Sequence, residues 1–241
     1  MGEENGFAGE SSNGEAAGLA GEASNSPASA ICLCSYADEG SAESQRYYLA
    51  RRTLLEMLRD RGYAVPASEI NRSLQEFRAT HGQDPDVERL RISVVHKSDL
   101  SKRIQVVFAG SRIVKVSGIR LIAASLANRE SLTGLILVLE NHITSQALNA
   151  LDLFQFKVEM FQITDLLVNI TKHVLKPKHD VLTEEEKQRL LKKYSIEEKQ
   201  LPRLLKKDAI ARYYGLERGQ VVKVSYSGDI TGSYVTYRCV W

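Results

Sequence analysis

The run Leu135-Ile136-Leu137-Val138-Leu139 contains no polar residue. A strand with one solvated face alternates apolar and polar side chains, so an unbroken branched apolar run describes a strand covered on both faces. Such a strand needs a sheet with helices on either side, and the flanking sequence supplies both. Arg91 to Val95 and Ile104 to Phe108 read as strands around the polar turn at Lys97 to Lys102, and Phe156 to Phe161 as another. Ile119 to Ala127 and Ser145 to Leu153 read as the intervening helices. This strand–helix alternation predicts a mixed α/β domain.

Ahead of it, Tyr47, Ala50, Leu54, Leu55 and Leu58 fall in one helical arc, with Arg52, Glu56 and Arg59 opposite. A helix is expected from Ser41 to Arg61, stopped by Gly62. Ser68 is the expected cap of a second helix carrying Ile70, Leu74 and Phe77. The composition shifts near Gln162 to Thr171, which sets a domain of residues 41–165 against a smaller α+β domain of residues 166–241. In the latter, Thr183 with Glu186 forms a capping-box pattern for a helix to Lys193. Asp208 can cap a short helix that Gly215 ends in a left-handed conformation. Gln220 to Tyr226 and Ser233 to Trp241 read as strands about the turn-rich Ser227-Gly228-Asp229-Ile230-Thr231-Gly232.

Charge is distributed unevenly along the chain. Residues 1–40 hold six Glu and one Asp with no Lys or Arg, while the rest carries 32 basic and 23 acidic residues. Residues 1–30 are low-complexity and nearly free of large apolar side chains, so they are expected to be disordered. An acidic tail on a basic body suits a protein working beside nucleic acid or acidic partners. No apolar run approaches the roughly 18 residues of a membrane span, and no secretory signal pattern is visible. Cys32, Cys34 and Cys239 form no disulfide framework and fit a reducing compartment. Cys32-x-Cys34 lacks a second pair of metal ligands and reads as small apolar residues.

Catalytic patterns are incomplete. Pro85-Asp86 could begin a metal-nuclease motif, but Asp99 to Lys102 has the wrong spacing to finish it. His173 and His179, six apart with an intervening Pro and no nearby Cys, read as hydrogen-bonding groups of an irregular segment. Gly215-x-x-x-Gly219 lacks the Gly-Lys-Ser/Thr of a phosphate loop. No catalytic residue, metal, cofactor or small-molecule substrate is expected. The arginines of the first helix, Arg46, Arg51, Arg52, Arg59 and Arg61, are the candidates for phosphate contact, since guanidinium matches phosphate oxygens geometrically.

Two stretches resemble a known family. One is His173-Val174-Leu175-Lys176-Pro177-Lys178-His179, followed by Leu182 and Glu185. The other runs from Leu201-Pro202 through Asp208, Arg212-Tyr213-Tyr214-Gly215, Gly219-Gln220-Val221 and Lys223 to Gly232, Tyr234, Tyr237 and Arg238. In order and separation they resemble the fifth subunit of eukaryotic nuclear RNA polymerases, whose C-terminal part corresponds to a small subunit of the archaeal polymerase. Val174 and Lys176 depart from that pattern. The resemblance implies an N-terminal jaw-like domain near downstream DNA, contacting it weakly and without sequence preference. It also implies a C-terminal assembly domain on the largest subunit, with Arg212 free to serve the partner, and a nuclear location. Asp208-Ala209 in place of Asp-Pro, the turn Ser225 to Ser233 without its usual arginines, and the ending Arg238-Cys239-Val240-Trp241 resemble the plant branch assigned to RNA polymerase V. The alternatives are a subunit shared among nuclear polymerases and a free nuclear transcription adaptor.

Overall fold

The computed structural model describes residues 40–126, 131–228 and 232–241. The acidic tail with Cys32 and Cys34, residue 127 at the end of the helix expected to Ala127, and the turn residues 229–231 lie outside the described residues. Residues 40–241 cluster as a single unit that contains two four-stranded sheets.

Helix α1 (Ala42–Asp60) begins at Ser41, whose Oγ accepts from the amides of Glu43 and Ser44. It ends where Gly62 takes φ +91°, a conformation open to glycine at little cost. The second expected helix is two. Helix α2 (Ala67–Asn71) stops at Arg72, and α3 (Leu74–His81) starts afresh under a capping box of Ser73 and Glu76. The expected cap at Ser68 is therefore corrected to Ser73. Ser73-x-x-Glu76 satisfies two end donors reciprocally, whereas Ser68 lies inside the first turn of α2.

The first sheet has the order β1 (Ile92–Val95), β2 (Arg103–Phe108), β3 (Leu132–Leu139) and β4 (Lys157–Gln162). Strand β1 is antiparallel to β2, and β2, β3 and β4 are parallel. The crossovers carry α4 (Val116–Ser125) and α5 (Ser145–Leu151). Ile136 and Val138 of β3 face Leu54 and Leu58 of α1 in one core, while Leu135, Leu137 and Leu139 face Ile119 and Ala147 in the other. Each such branched side chain removed from water contributes about 1.5–3 kcal/mol. Both faces of β3 therefore act on its register, and a one-residue slip would exchange them.

The second sheet has the order β5 (Lys178–Val181), β7 (Val221–Gly228), β8 (Gly232–Val240) and β6 (Arg203–Leu204). Helix α6 (Glu184–Tyr194), with the Thr183–Glu186 capping box, covers Val221 and Cys239 on one face. Helix α7 (Ala209–Tyr214), capped by Asp208, covers Val222, Val224 and Val240 on the other. Strands β5 and β6 have no apolar alternation in sequence; they exist because β7 and β8 present edges to them.

Candidate functional site

The two sheets meet where the C-terminus of α1 reaches the C-terminus of α7, and Arg61 fills the contact. The residue just past α1 turns inward and retains 6% side-chain exposure. Its Nε donates to the carbonyl of Tyr213 at 2.8 Å and its Nη2 to that of Arg212 at 2.7 Å. Those carbonyls belong to the last turn of α7, at the negative end of the helix dipole, where the Gly215 amide also donates to the Arg212 carbonyl at 3.0 Å. The same guanidinium forms a two-pronged pair with Glu159 of β4, at 3.2 and 2.7 Å. Gly215 ends α7 at φ +64°, and a Cβ there would stand 3.0 Å from the Arg61 guanidinium. Lys157 Nζ adds a bond to the Gly215 carbonyl at 3.1 Å.

Next to it lies a second polar cluster. Glu56, buried on α1, accepts from Asn169 Nδ2 at 2.6 Å and Lys172 Nζ at 2.5 Å. Tyr213 is buried, and its hydroxyl donates to Asp60 Oδ2 at 2.8 Å and accepts from Asn169 at 3.3 Å. Burial, with Asp60 beside it, pushes the Tyr213 hydroxyl well above the usual tyrosine range. Burial alone would raise the Glu56 carboxyl. The bonds from Lys172 and Asn169 and the charges of Lys172 and Arg52 outweigh it and hold the carboxyl below its ordinary 4.5. A carboxyl depressed by folding stabilises the native state above its unfolded pKa, and that contribution is lost as pH falls through the folded value. Wild-type stability should therefore decline below pH 4.5 more steeply than that of Glu56→Gln. Urea unfolding from pH 3 to 7 reads the difference, and parallel curves would show that Glu56 is not the titrating group.

Arg212, expected to serve a partner, also makes bonds within the chain. Its Nη2 donates to the Met160 carbonyl at 2.8 Å, its Nη1 pairs with Asp165 at 3.2 Å, and the guanidinium lies 4.6 Å over Phe161. The stretch Arg212-Tyr213-Tyr214-Gly215 thus fastens α7 to α1 and β4. These bonds add to the burial of Ala211 and Tyr213 in holding the short helix in place.

The other motif residues spread over the second sheet. His173 Nδ1 accepts from the Leu175 amide at 3.2 Å, and His179 Nδ1 lies 2.7 Å from the Pro177 carbonyl, so each ties down its own segment. Leu175 itself is 85% exposed. Leu201 and Val221 are buried, the Pro202 carbonyl accepts from Cys239, and Gly219 at φ +90° donates to Val240. Gln220 accepts from the Glu217 amide, Lys223 is half-buried, and Gly232 opens β8 at φ +66°. Tyr234 stacks on Tyr226 with centroids 4.4 Å apart and rings 6° from parallel, Tyr237 packs beside Trp241, and Arg238 donates to the Arg203 carbonyl. Arg203 and Arg218 lie over the Trp241 ring at 4.8 and 5.0 Å. Val168, Val174, Leu175, Leu205, Tyr234 and Val235 leave this half rich in exposed apolar surface, a feature of interaction faces when contiguous.

Of the phosphate candidates, Arg61 belongs to the junction and Arg51 is turned onto Glu69 at 2.8 Å with 13% exposure. Arg46 is half-buried, whereas Arg52 and Arg59 each keep 46% side-chain exposure and pair with Glu56 and Asp60. The Asp86 carboxylate accepts from the Glu88 amide, and that of Asp99 from Ser101. What sequence reasoning missed is the inward turn of Arg61 and the Glu56–Asn169–Tyr213 cluster. The only hint was that Arg61 directly precedes the helix-stopping Gly62.

Comparison with known proteins agrees with this two-sheet arrangement. Residues 41–126 match the model of the RNA polymerase Rpb5 N-terminal domain, and residues 168–240 that of the Rpb5 C-terminal domain. The chain is 63% identical over 214 residues to the DNA-directed RNA polymerase V subunit 5A of Arabidopsis thaliana, covering 89% of this chain and 96% of that one. It is 63% identical over 202 residues to the RNA polymerases IV and V subunit 5B of the same plant, covering 84% and 93%. To the RNA polymerases I, II, and III subunit RPABC1 of Caenorhabditis elegans it is 35% identical over 205 residues, covering 82% and 97%. The chain belongs to the Rpb5 family of RNA polymerase subunits.

Proposed function

We propose that this Rpb5-family chain is the fifth subunit of a plant RNA polymerase V, which makes non-coding transcripts for small-RNA-directed DNA methylation. It contributes no catalytic residue to the nuclear enzyme. Residues 168–241 dock on the largest subunit, and the N-terminal half lies beside downstream duplex DNA. The observation that carries the polymerase V reading is the 63% identity to the polymerase V subunit 5A, set against 35% to the subunit of polymerases I, II and III. The internal commitment of Arg61 and Arg212 supports the division of labour. With those groups satisfied inside the chain, docking falls to the exposed apolar surface of the second sheet.

Affinity purification of the chain from plant nuclei tests this reading. The largest subunit recovered should be that of polymerase V, in equal amount. Recovery of polymerases I, II and III together would make this a shared subunit, and recovery without any polymerase would make it a free adaptor.

The DNA reading has its own test. Arg52 and Arg59 lie seven apart on one face of α1, so their charges act on the same stretch of phosphate. Reversing both to Glu should weaken binding of the polymerase to downstream duplex at low salt, about equally for all sequences, and flatten its dependence on salt. An unchanged salt slope would remove α1 from the DNA path.

A further inference from the structure

The β7–β8 hairpin runs past both neighbours. Strand β5 pairs with β7 only from Val222 to Ser225, and β6 meets β8 only at Cys239 and Val240. The β7–β8 ladder itself continues without a register break to Gly228 and Gly232. We propose that the open edge of β8 is completed by an extended strand of another polymerase subunit, one that alternates apolar and acidic side chains. The inference rests on the assembly reading above and names the site through which assembly occurs.

The hydrogen-bond alternation of β8 fixes what that edge offers. The amides of Cys239 and Trp241 donate to the carbonyls of Pro202 and Leu204, on the β6 side, while the Val240 amide donates to Gln220, on the β7 side. Alternation then directs the N–H and C=O groups of Tyr237, Val235 and Ser233 toward the β6 side, beyond where β6 ends. Among the described residues, no backbone partner meets them. Unpaired donors and acceptors in a straight row are a template for another strand. Natural edges are normally blunted by lysine, proline or a bulge. Gly232 to Tyr237 has no charge, no proline and no bulge, and the Tyr226–Tyr234 stack stiffens it from one face.

Side chains set the chemistry of the occupant. Val235, 47% exposed, and Tyr237 project on one face, and Tyr234, Thr236 and Arg238 on the other. Thr236 Oγ1 is buried without a hydrogen-bond partner, so that face retains an unused polar group. The described residues of β7 and β8 include Lys223 and Arg238 but no acid. An incoming strand therefore gains from apolar residues beside Val235 and Tyr237 and from an acid beside Arg238.

Val235→Pro removes an outward N–H and leaves the β7–β8 ladder whole, since proline's φ is allowed in extended backbone. Val235→Lys is the companion variant, which blunts the edge without touching the backbone. Both full-length chains should melt like the wild type, and both should lose about tenfold or more in recovery with the polymerase. In wild-type chain the amides of Val235 and Tyr237 should exchange with solvent freely when alone and about tenfold or more slowly within the polymerase. Full recovery of both variants, or amides that still exchange freely in the polymerase, would overturn the proposal while leaving the assembly reading intact. A free chain that sediments as a dimer with those amides already protected would overturn it too, by making a second copy the occupant. A wild-type chain found outside any polymerase would instead break the assembly reading itself.

Discussion

Arg61→Ala should lower the unfolding free energy by about 3–5 kcal/mol, the range for removing one partner of a buried ion pair. The loss is large because one side chain serves three acceptors, and its removal takes a charged donor from each of them. Glu159, with 18% side-chain exposure, would keep among the described residues the Lys157 ammonium 3.6 Å away as its ion-pair partner. The Tyr213 carbonyl would lose its guanidinium donor at the negative end of α7, and the Arg212 carbonyl would keep the Gly215 amide alone. For a chain of this size the midpoint should fall by about 10 °C. Arg61→Lys should recover little, because an ammonium group cannot reach two carbonyls and a carboxylate in the planar fork geometry. Urea unfolding at neutral pH gives the number, and a cost below about 1 kcal/mol, typical of a surface pair, would show that the guanidinium does not hold the sheets together.

Gly215→Val should be nearly as damaging, by about 3 kcal/mol. A left-handed backbone costs an L residue roughly 1–2 kcal/mol, and more for a β-branched one. Its Cβ would also press on the Arg61 guanidinium from 3.0 Å, and the valine methyl groups would reach further in. Gly215→Ala bears the backbone strain with a milder contact, so the gap between the two variants isolates the collision. Because the residues touch, the Arg61→Ala and Gly215→Val effects should add to less than their sum, the collision being absent once Arg61 is gone. Strict additivity in unfolding midpoints would mean that the valine acts through backbone strain alone.

The two halves of the chain were unequally legible. Strand β3 was readable because coverage on both faces leaves five branched apolar residues in a row, in a segment of strand length. Helix α1 was readable from its apolar arc and from Gly62, and α6 and α7 from their ends, where Thr183 and Asp208 satisfy free amides and Gly215 turns the chain. The break between α2 and α3 was present in the sequence as Ser73-x-x-Glu76 and was passed over in favour of Ser68. Strands β5 and β6 left no mark, since their pairing is decided by β7 and β8, dozens of residues away.

The junction was hidden for a different reason. Helical spacing places Arg61 among the solvated arginines of α1, but it lies one residue past the last turn, where spacing no longer fixes direction. Only the presence of Glu159 and the α7 carbonyls draws it inward, and both are about a hundred or more residues distant. The internal bonds of Arg212 were hidden in the same way, since Asp165 and Phe161 come beside it only in the fold. The motif residues from Arg212 to Gly215 therefore report on how the chain holds its own halves. The exposed apolar residues of this half lie both outside the motifs, as Val168 and Val235 do, and within them, as Leu175 and Tyr234 do.

Lysine cross-linking of the affinity-purified polymerase, read by mass spectrometry, decides which half of the chain docks on the largest subunit. Lys178, Lys192, Lys206 and Lys207 are exposed on the C-terminal half, and Lys97, Lys102 and Lys115 on the N-terminal half. The expected result is one copy of this chain per largest subunit, with cross-links to that subunit concentrated at the first group. Cross-links to the largest subunit from the second group alone, or a chain recovered free of the polymerase, would contradict it.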